Sequence, residues 1–470
     1  MLFIAPMRST IVKKERSLFL TQYFSKKKVF MTVNHESKGK VNFKLVYQTT
    51  ATIAAAMAIS LSLPKNVSAA NLTDTSNLLS ADPISDNLAR QFQTTLDRAV
   101  KDKIPPGTTV GIVSPQGSWF GASGVSNLAT RTPVTQSDRF PIGSITKTFT
   151  ATTALQLAQE GKLSLDDTLS QWLPEIATNL SDGESVTIRQ LLNGTSGIYN
   201  FLDDDSPIYP EILNNPLRDW QPEEIVQYAY NKPRSPNWVY PNTGFILAGM
   251  VIEKATGSNL AQEIRDRIIT PLGLNNTYFA QEEEIPGGFV NGYTDVDGNG
   301  SLDDVTALNL SWAWAAGAMV SNTQDLSRFS GALFGGELLS QNSLNQMLTF
   351  NPTGDEFFGI GYGLGVYSVD FELLIPGLGR GFGHGGDAPG HNAFMFYFPE
   401  RDITVVSLQN SQPPNDFNPV VPILETMLEE GQGSNTKSVP EPSVVTGLTI
   451  LSMGKLLGYM RSRLRRTQEF

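Results

Sequence analysis

The 470-residue chain contains no cysteine and only three histidines, His35, His384 and His391. Without cysteine there is no disulfide, no thiol nucleophile and no thiolate metal ligand. The histidines are too few, and one of them too near the N-terminus, for an ordinary hydrolytic zinc site, which combines imidazoles with carboxylates. A Gly-x-Ser-x-Gly elbow is missing as well, which removes the α/β-hydrolase route to an activated serine. Positive charge is scarce in the middle of the chain. The net charge is -11, and the basic residues crowd the ends, at Lys13, Lys14, Arg16, Lys26, Lys27 and Lys28 and again at Arg461, Arg463, Arg465 and Arg466. A nucleic-acid partner is therefore excluded, because phosphate binding needs a basic surface. A hydrophobic fraction of 40% suffices for a globular core and is not that of a polytopic membrane protein.

Both ends read as targeting rather than fold. Lys38, Lys40 and Lys44 precede a weakly apolar run at 49–63, and Val67, Ser68 and Ala69 offer small residues to a signal peptidase. Residues 1–70 are accordingly expected to be a signal segment, with Met31 as an alternative start, and 71–85 a linker. At the other end, the flexible stretch 431–439 leads to Pro440-Glu441-Pro442. An apolar run at 444–460, interrupted by Lys455, and the arginine cluster follow. Between them, 86–430 forms one body. Leu88, Phe92, Leu96 and Val100 repeat at helical spacing over 86–103, and strand-like pieces at 109–114 and 118–124 flank the turn Pro115-Gln116-Gly117. Helical patterns fill the middle. Strand signals return at 394–398 and 404–410, before a closing helix at 420–429. This order predicts an α/β (α+β) fold: one antiparallel sheet built from both chain ends, flanked by helices, with an inserted, mostly helical domain.

Three short patterns carry chemistry. Ser144-Ile145-Thr146-Lys147 precedes a helical run through Phe149, Ala151, Ala154, Leu155 and Ala158, so Ser144 is expected at a helix N-terminus, where the helix dipole favours negative charge. At i and i+3 the lysine amine lies beside the hydroxyl. To act as a base near neutrality it needs its pKa of ~10.4 lowered by roughly three units, about 4 kcal/mol, which burial can supply. Ser-x-x-Lys alone is a cheap pattern and recurs from Ser25, Ser37, Ser62, Ser434 and Ser452, but only Ser144 lies in the folded body. An ordinary N-cap is the competing role. Tyr240-Pro241-Asn242 precedes a second helical run; its phenol can relay a proton and its amide can hold a carbonyl. His384-Gly385-Gly386 lies just before a strand, where glycines let a substrate backbone approach an exposed edge. A packed turn tyrosine and a plain glycine-rich loop are the bland alternatives.

Taken together, the three motifs resemble, in order and spacing, the serine β-lactamase-related family of class C β-lactamases and D-alanyl-D-alanine carboxypeptidases, the penicillin-recognising serine hydrolases. Supporting stretches are 191–197 (Leu-Leu-Asn-Gly-Thr-Ser-Gly), 248–253 and 315–321. Gly194 stands where many relatives have histidine, and His384 where many β-lactamases have lysine. The resemblance implies a β-lactamase/transpeptidase-like fold in which Ser144 is acylated, Lys147 is the base and Tyr240 shuttles a proton to the leaving group. Asn242 would hold the substrate amide, His384, Gly385 and Gly386 would form the third motif, and the N–H groups of Ser144 and Asp387 would form an oxyanion hole. It implies an exported hydrolase without a required cofactor, acting most like a D-alanyl-D-alanine carboxypeptidase on a peptide or cell-wall substrate. An esterase or β-lactamase on the same scaffold, or a non-catalytic penicillin-binding sensor, are the alternatives; a sensor would lose the lysine or the tyrosine. The C-terminal 440–470 segment resembles a PEP-CTERM sorting signal. That implies transient membrane anchoring, an exosortase-type processing partner and a periplasmic or cell-surface location.

One further loop, 295–303, places Asp295, Asp297, Asn299, Ser301 and Asp303 at alternating positions with glycine sixth, the spacing of a calcium loop. Thr306 occupies the twelfth position, where a bidentate glutamate is usual, and Asp304 could replace it. A structural calcium and a solvated Asn-Gly turn are the two expectations.

Overall fold

The computed structural model describes residues 29–35, 41–47, 82–102, 106–203, 205–296, 298–354, 359–372, 374–411 and 419–431. The chain divides into two compact units, Met1–Val67 and Ser68–Phe470. In the first, Val29–His35 pairs antiparallel with Val41–Tyr47, in a stretch whose sequence suggested only targeting. The runs at 49–63 and 444–460, the small residues at 67–69, Pro440-Glu441-Pro442 and the terminal arginines lie outside the described residues. Among the described residues no helix is long and apolar enough to cross a membrane.

The second unit is built on a nine-stranded antiparallel sheet. Its strands, in chain order, are β1 (Gly107–Ser114), β2 (Gly117–Asn127), β3 (Thr132–Pro133), β4 (Asn351–Pro352), β5 (Gly361–Tyr362), β6 (Tyr367–Asp370), β7 (Arg380–Ala388), β8 (His391–Phe398) and β9 (Ile403–Gln409). Their spatial order is β4-β5-β6-β7-β8-β9-β1-β2-β3. The two chain ends thus meet in the middle of the sheet, with Ile112 of β1 opposite Val405 of β9. Both strands are buried along their whole length, with Thr108, Thr109, Thr404 and Ser407 buried alongside the apolar side chains.

Helices cover both faces. On one, α1 (Asp86–Asp102) offers Leu88, Phe92 and Leu96 to Ile112, Phe396 and Val405. It shares that face with Ile423, Leu424 and Met427 of the closing helix Val420–Gly431. Burying each such side chain stabilises the fold by ~1.5–3 kcal/mol. The other face packs against the larger core, which contains α2 (Thr146–Gln159), α3 (Asn242–Thr256) and α4 (Thr323–Phe334). Phe149 of α2 stacks on Phe329 of α4 at 3.7 Å. Helix α2 is buried on nearly every side, so its threonines must find partners inside: Thr148 and Thr150 donate to the Gly365 and Ala315 carbonyls, and Thr152 and Thr153 to carbonyls one turn back. The sheet from both termini, its flanking helices and the helical insertion agree with the expected architecture; the element ends differ by a few residues.

Candidate active site

The Ser144 turn is held between two pieces of backbone. Phe140–Pro141 pairs with Met319–Ser321, Ile142 N–H donates to Met319 O at 2.9 Å, and Met319 N–H donates to Thr146 Oγ1 at 3.1 Å. Ser144 lies in a 3-10 turn, Gly143–Ile145, that feeds α2. This places Ser144 at the N-terminal end of the helix, as expected, but not in the competing role of an ordinary N-cap. The residue capping α2 is Ile145, and no side chain caps the helix. The Ser144 hydroxyl faces Lys147 instead, with Nζ to Oγ at 2.9 Å.

Lys147 is fully buried, and burial holds its pKa well below the ordinary lysine value. Its amine also donates to the Ala316 carbonyl at 2.7 Å and lies 4.9 Å from the centre of the Tyr240 ring. A neutral amine here keeps one N–H on Ala316 and turns its lone pair to the serine O–H. The stretch 315–321, singled out in the sequence without a role, supplies that anchoring carbonyl.

Tyr240 ends the loop before α3. Burial pushes its pKa above the usual phenol range, with a hydrogen bond to Ser144 acting the other way and the Asp387 charge adding to the rise. At rest it is a neutral phenol in contact with the serine, able to pass a proton but not to act as a standing base. The first residue of α3 is Asn242, whose Nδ2 donates to Asn200 Oδ1 at 3.1 Å. Asn200 was missed in the sequence, although it lies three residues beyond the matching stretch 191–197.

The third motif lies on β7. Strand β6 pairs with residues 380–383 of β7, whereas β8 continues to Ala388. Beyond Gly383 that edge of β7 faces the Ser144 turn. Contact there is backbone to backbone. A Cβ on Gly143 would lie 2.6 Å from Asp387 N, and one on Gly386 would lie 1.9 Å from Ile142 O. Only glycine permits that approach, which brings the peptide groups of Ser144 and Asp387 to one place.

His384 is fully buried, and its pKa is pushed down to about 3, by burial first and by Lys147 second. Its Nε2 contacts the Tyr362 hydroxyl at 3.1 Å and its Nδ1 the Gly385 carbonyl at 2.5 Å. The imidazole is therefore neutral, with N–H on Nδ1 and Nε2 accepting from the phenol. Tyr362, Tyr367 and Trp238 form an aromatic wall with Tyr240: the rings of Tyr362 and Tyr367 are 4.6 Å apart, and Trp238 lies 5.6 Å from Tyr362. No motif announced these residues. The one available signal was Gly194. A Cβ there would lie 2.5 Å from the Trp238 indole nitrogen, which donates to Asn193 O at 3.0 Å; the missing side chain makes room for the indole.

The 295–303 loop joins the short strands Tyr293–Thr294 and Asp303–Asp304. Asp295 Oδ2 accepts from Gly300 N–H at 3.0 Å, Asn299 Oδ1 from Ser301 N–H at 2.7 Å, and Asp303 Oδ2 from Val296 N–H at 3.2 Å. Asp297 lies outside the described residues. Among the described residues no group of three or more His, Cys, Asp or Glu is arranged to hold a metal.

A family model described as Beta-lactamase matches residues 92–425. Penicillin-binding protein 4* of Bacillus subtilis is 27% identical over 63% of this chain and 66% of its own length. Esterase EstB of Burkholderia gladioli is 30% identical over 42% of this chain and 53% of its own. The chain thus spans less than two thirds of either curated relative. Among solved structures, a D-stereospecific amidohydrolase from Streptomyces sp. superposes with a TM-score of 0.61 at 34% identity, covering 68% of this chain and 94% of that one.

Proposed function

Because the chain belongs to the Beta-lactamase family of serine hydrolases, we propose that it cleaves amide or ester bonds through an acyl-enzyme on Ser144. The observation that carries this reading is the 2.9 Å contact between Ser144 Oγ and a fully buried Lys147 amine. In acylation, Ser144 Oγ forms a bond to the substrate carbonyl carbon and gives its proton to Lys147. The Tyr240 hydroxyl gives its proton to the departing nitrogen or oxygen as the scissile bond breaks and takes back the one held by Lys147, so that both groups end as they began. The Ser144 and Asp387 N–H groups stabilise the oxyanion. Water then attacks the acyl carbon, releasing a carboxylic acid and restoring the serine O–H.

Carboxypeptidase action on a D-alanyl-D-alanine terminus, the expectation raised by the motifs, is one form of this chemistry. Amidase, esterase and β-lactamase action are others, and they differ in what leaves. Lys147 and Tyr240 at the serine favour a catalyst over a penicillin-binding sensor. A fluorophosphonate probe with peptide mapping tests the reading: it should label Ser144 in the wild type, and labelling at another residue would sink it.

A further inference from the structure

Residues 199–202 are tied to the start of α3 by hydrogen bonds from both of its first two side chains. The Thr243 hydroxyl donates to the Tyr199 carbonyl at 2.7 Å and accepts from Phe201 N–H at 2.9 Å. Asn242 Nδ2 donates to Asn200 Oδ1 at 3.1 Å, and the same Oδ1 accepts from Leu202 N–H at 3.1 Å. A main-chain N–H can only donate, so the Leu202 bond decides which end of the Asn200 amide is oxygen. The end of Asn242 turned towards that oxygen must then be its NH2. One backbone donor thereby sets the orientation of two side-chain amides in series. With one N–H spent on Asn200, the Asn242 amide keeps its carbonyl oxygen and its second N–H, the complement of a peptide group. The turn that Asn242 opens lies against the catalytic amine: Lys147 Nζ is 4.9 Å from the centre of the Tyr240 ring and 5.8 Å from that of Phe245.

We propose, building on the acyl-Ser144 reading, that Asn200 is a positioning residue that locks Asn242 in the orientation by which the site selects acyl groups carrying an amide. Asn200 acts through Asn242 rather than on the reacting atoms. Without the acceptor, the Asn242 amide can turn end for end, which exchanges its donor and acceptor and sets like against like on a bound amide. Asn200 is only half-buried, whereas Asn242 and Thr243 are almost fully buried, so the acceptor can be removed without opening the core.

Two p-nitrophenyl esters with one leaving group separate this role from the chemistry at Ser144. The acetate has no amide, and the ester of N-acetylglycine has one beside the acyl carbon. Each kcat/KM is divided by the rate of spontaneous hydrolysis, and the wild-type ratio should favour the N-acetylglycine ester. Asn200→Leu and Asn200→Ala, which lack the acceptor, should cut that preference by about tenfold, a scale typical of coupling within one hydrogen-bond network. Asn200→Asp, whose carboxylate accepts from both donors, should keep most of it. In an Asn242→Ala background, Asn200→Leu should cost no further preference, because no amide is left to hold. Equal losses with and without Asn242, or a wild type with no preference, overturn the proposal while leaving Ser144 chemistry intact. Ester turnover undiminished in Ser144→Ala overturns the parent reading itself.

Discussion

Ser144 and Lys147 carry the proposed chemistry, and each can be tested alone. The serine caps no helix, so Ser144→Ala should keep the melting temperature close to wild type while abolishing fluorophosphonate labelling. A folded variant that still labels would rule Ser144 out as the nucleophile. Lys147 carries a testable pH signature. Its pKa is lower folded than unfolded, so between those values the unfolded chain binds the extra proton. Wild-type stability relative to Lys147→Met should therefore rise with pH towards the ordinary ~10.4, by up to ~1.4 kcal/mol per unit. Urea unfolding of both proteins at several alkaline pH values measures this, and a constant difference would mean the amine is charged when folded. Acylation should lose orders of magnitude in Lys147→Ala and Tyr240→Phe, the scale of acid–base catalysis. At this scale the sequence was informative, because Ser-x-x-Lys, Tyr-x-Asn and His-x-Gly are local patterns. What it hid was the tertiary partners. The carbonyl that holds Lys147 comes from Ala316, 169 positions away, and the phenol that fixes His384 comes from Tyr362.

At the level of elements, β7 and β8 each carry a buried histidine. His391 opens β8 with Nδ1 2.9 Å from Pro389 O and Nε2 3.1 Å from Val290 O, and burial pushes its pKa down to about 4. With His384 at about 3, both folded values lie below the unfolded ~6.5. The folded protein then binds fewer protons, and stability falls as pH drops below ~6.5, by up to ~1.4 kcal/mol per unit for each imidazole. Unfolding free energies measured at pH 7 and pH 5 should differ accordingly. A flat curve would mean that these imidazoles are not held neutral. The 295–303 loop gives a separate expectation. A calcium ion there would stabilise the fold by ~2.7 kcal/mol at a hundredfold excess over its Kd. Chelator should then lower the melting temperature of the wild type but not of Asp295→Ala combined with Asp303→Ala. A chelator-insensitive wild type leaves the loop as an Asx turn. Elements with strong periodicity, α1 and the strands at both ends, were legible in the sequence. The 3-10 turn at Ser144 was not, because its geometry is imposed by the close approach of β7 rather than by local propensity.

For the whole molecule, the pattern of strands at both ends with helices between foretold the sheet but not its register, which depends on distant pairings such as Thr108 opposite Gln409. Apart from the strand pair at 29–47, the tails lie outside the described residues, and their proposed roles rest on sequence alone. Mass spectrometry of the native protein is expected to find an N-terminus near Ala70 and no peptide from 463–470. A cytoplasmic protein retaining both tails would remove the case for export.

The pairing of β1 with β9 also sets a timetable for synthesis. Strand β1 emerges early from the ribosome, but the partner that fills its far side, Ile403–Gln409, comes nearly three hundred residues later. Until then the edge of β1 that β9 will pair stays open, and α1 lacks the part of its packing that β8, β9 and the closing helix provide. Contacts of such long sequence separation close late and slowly. A nascent chain of this design cannot complete its central sheet until most of it has been translated.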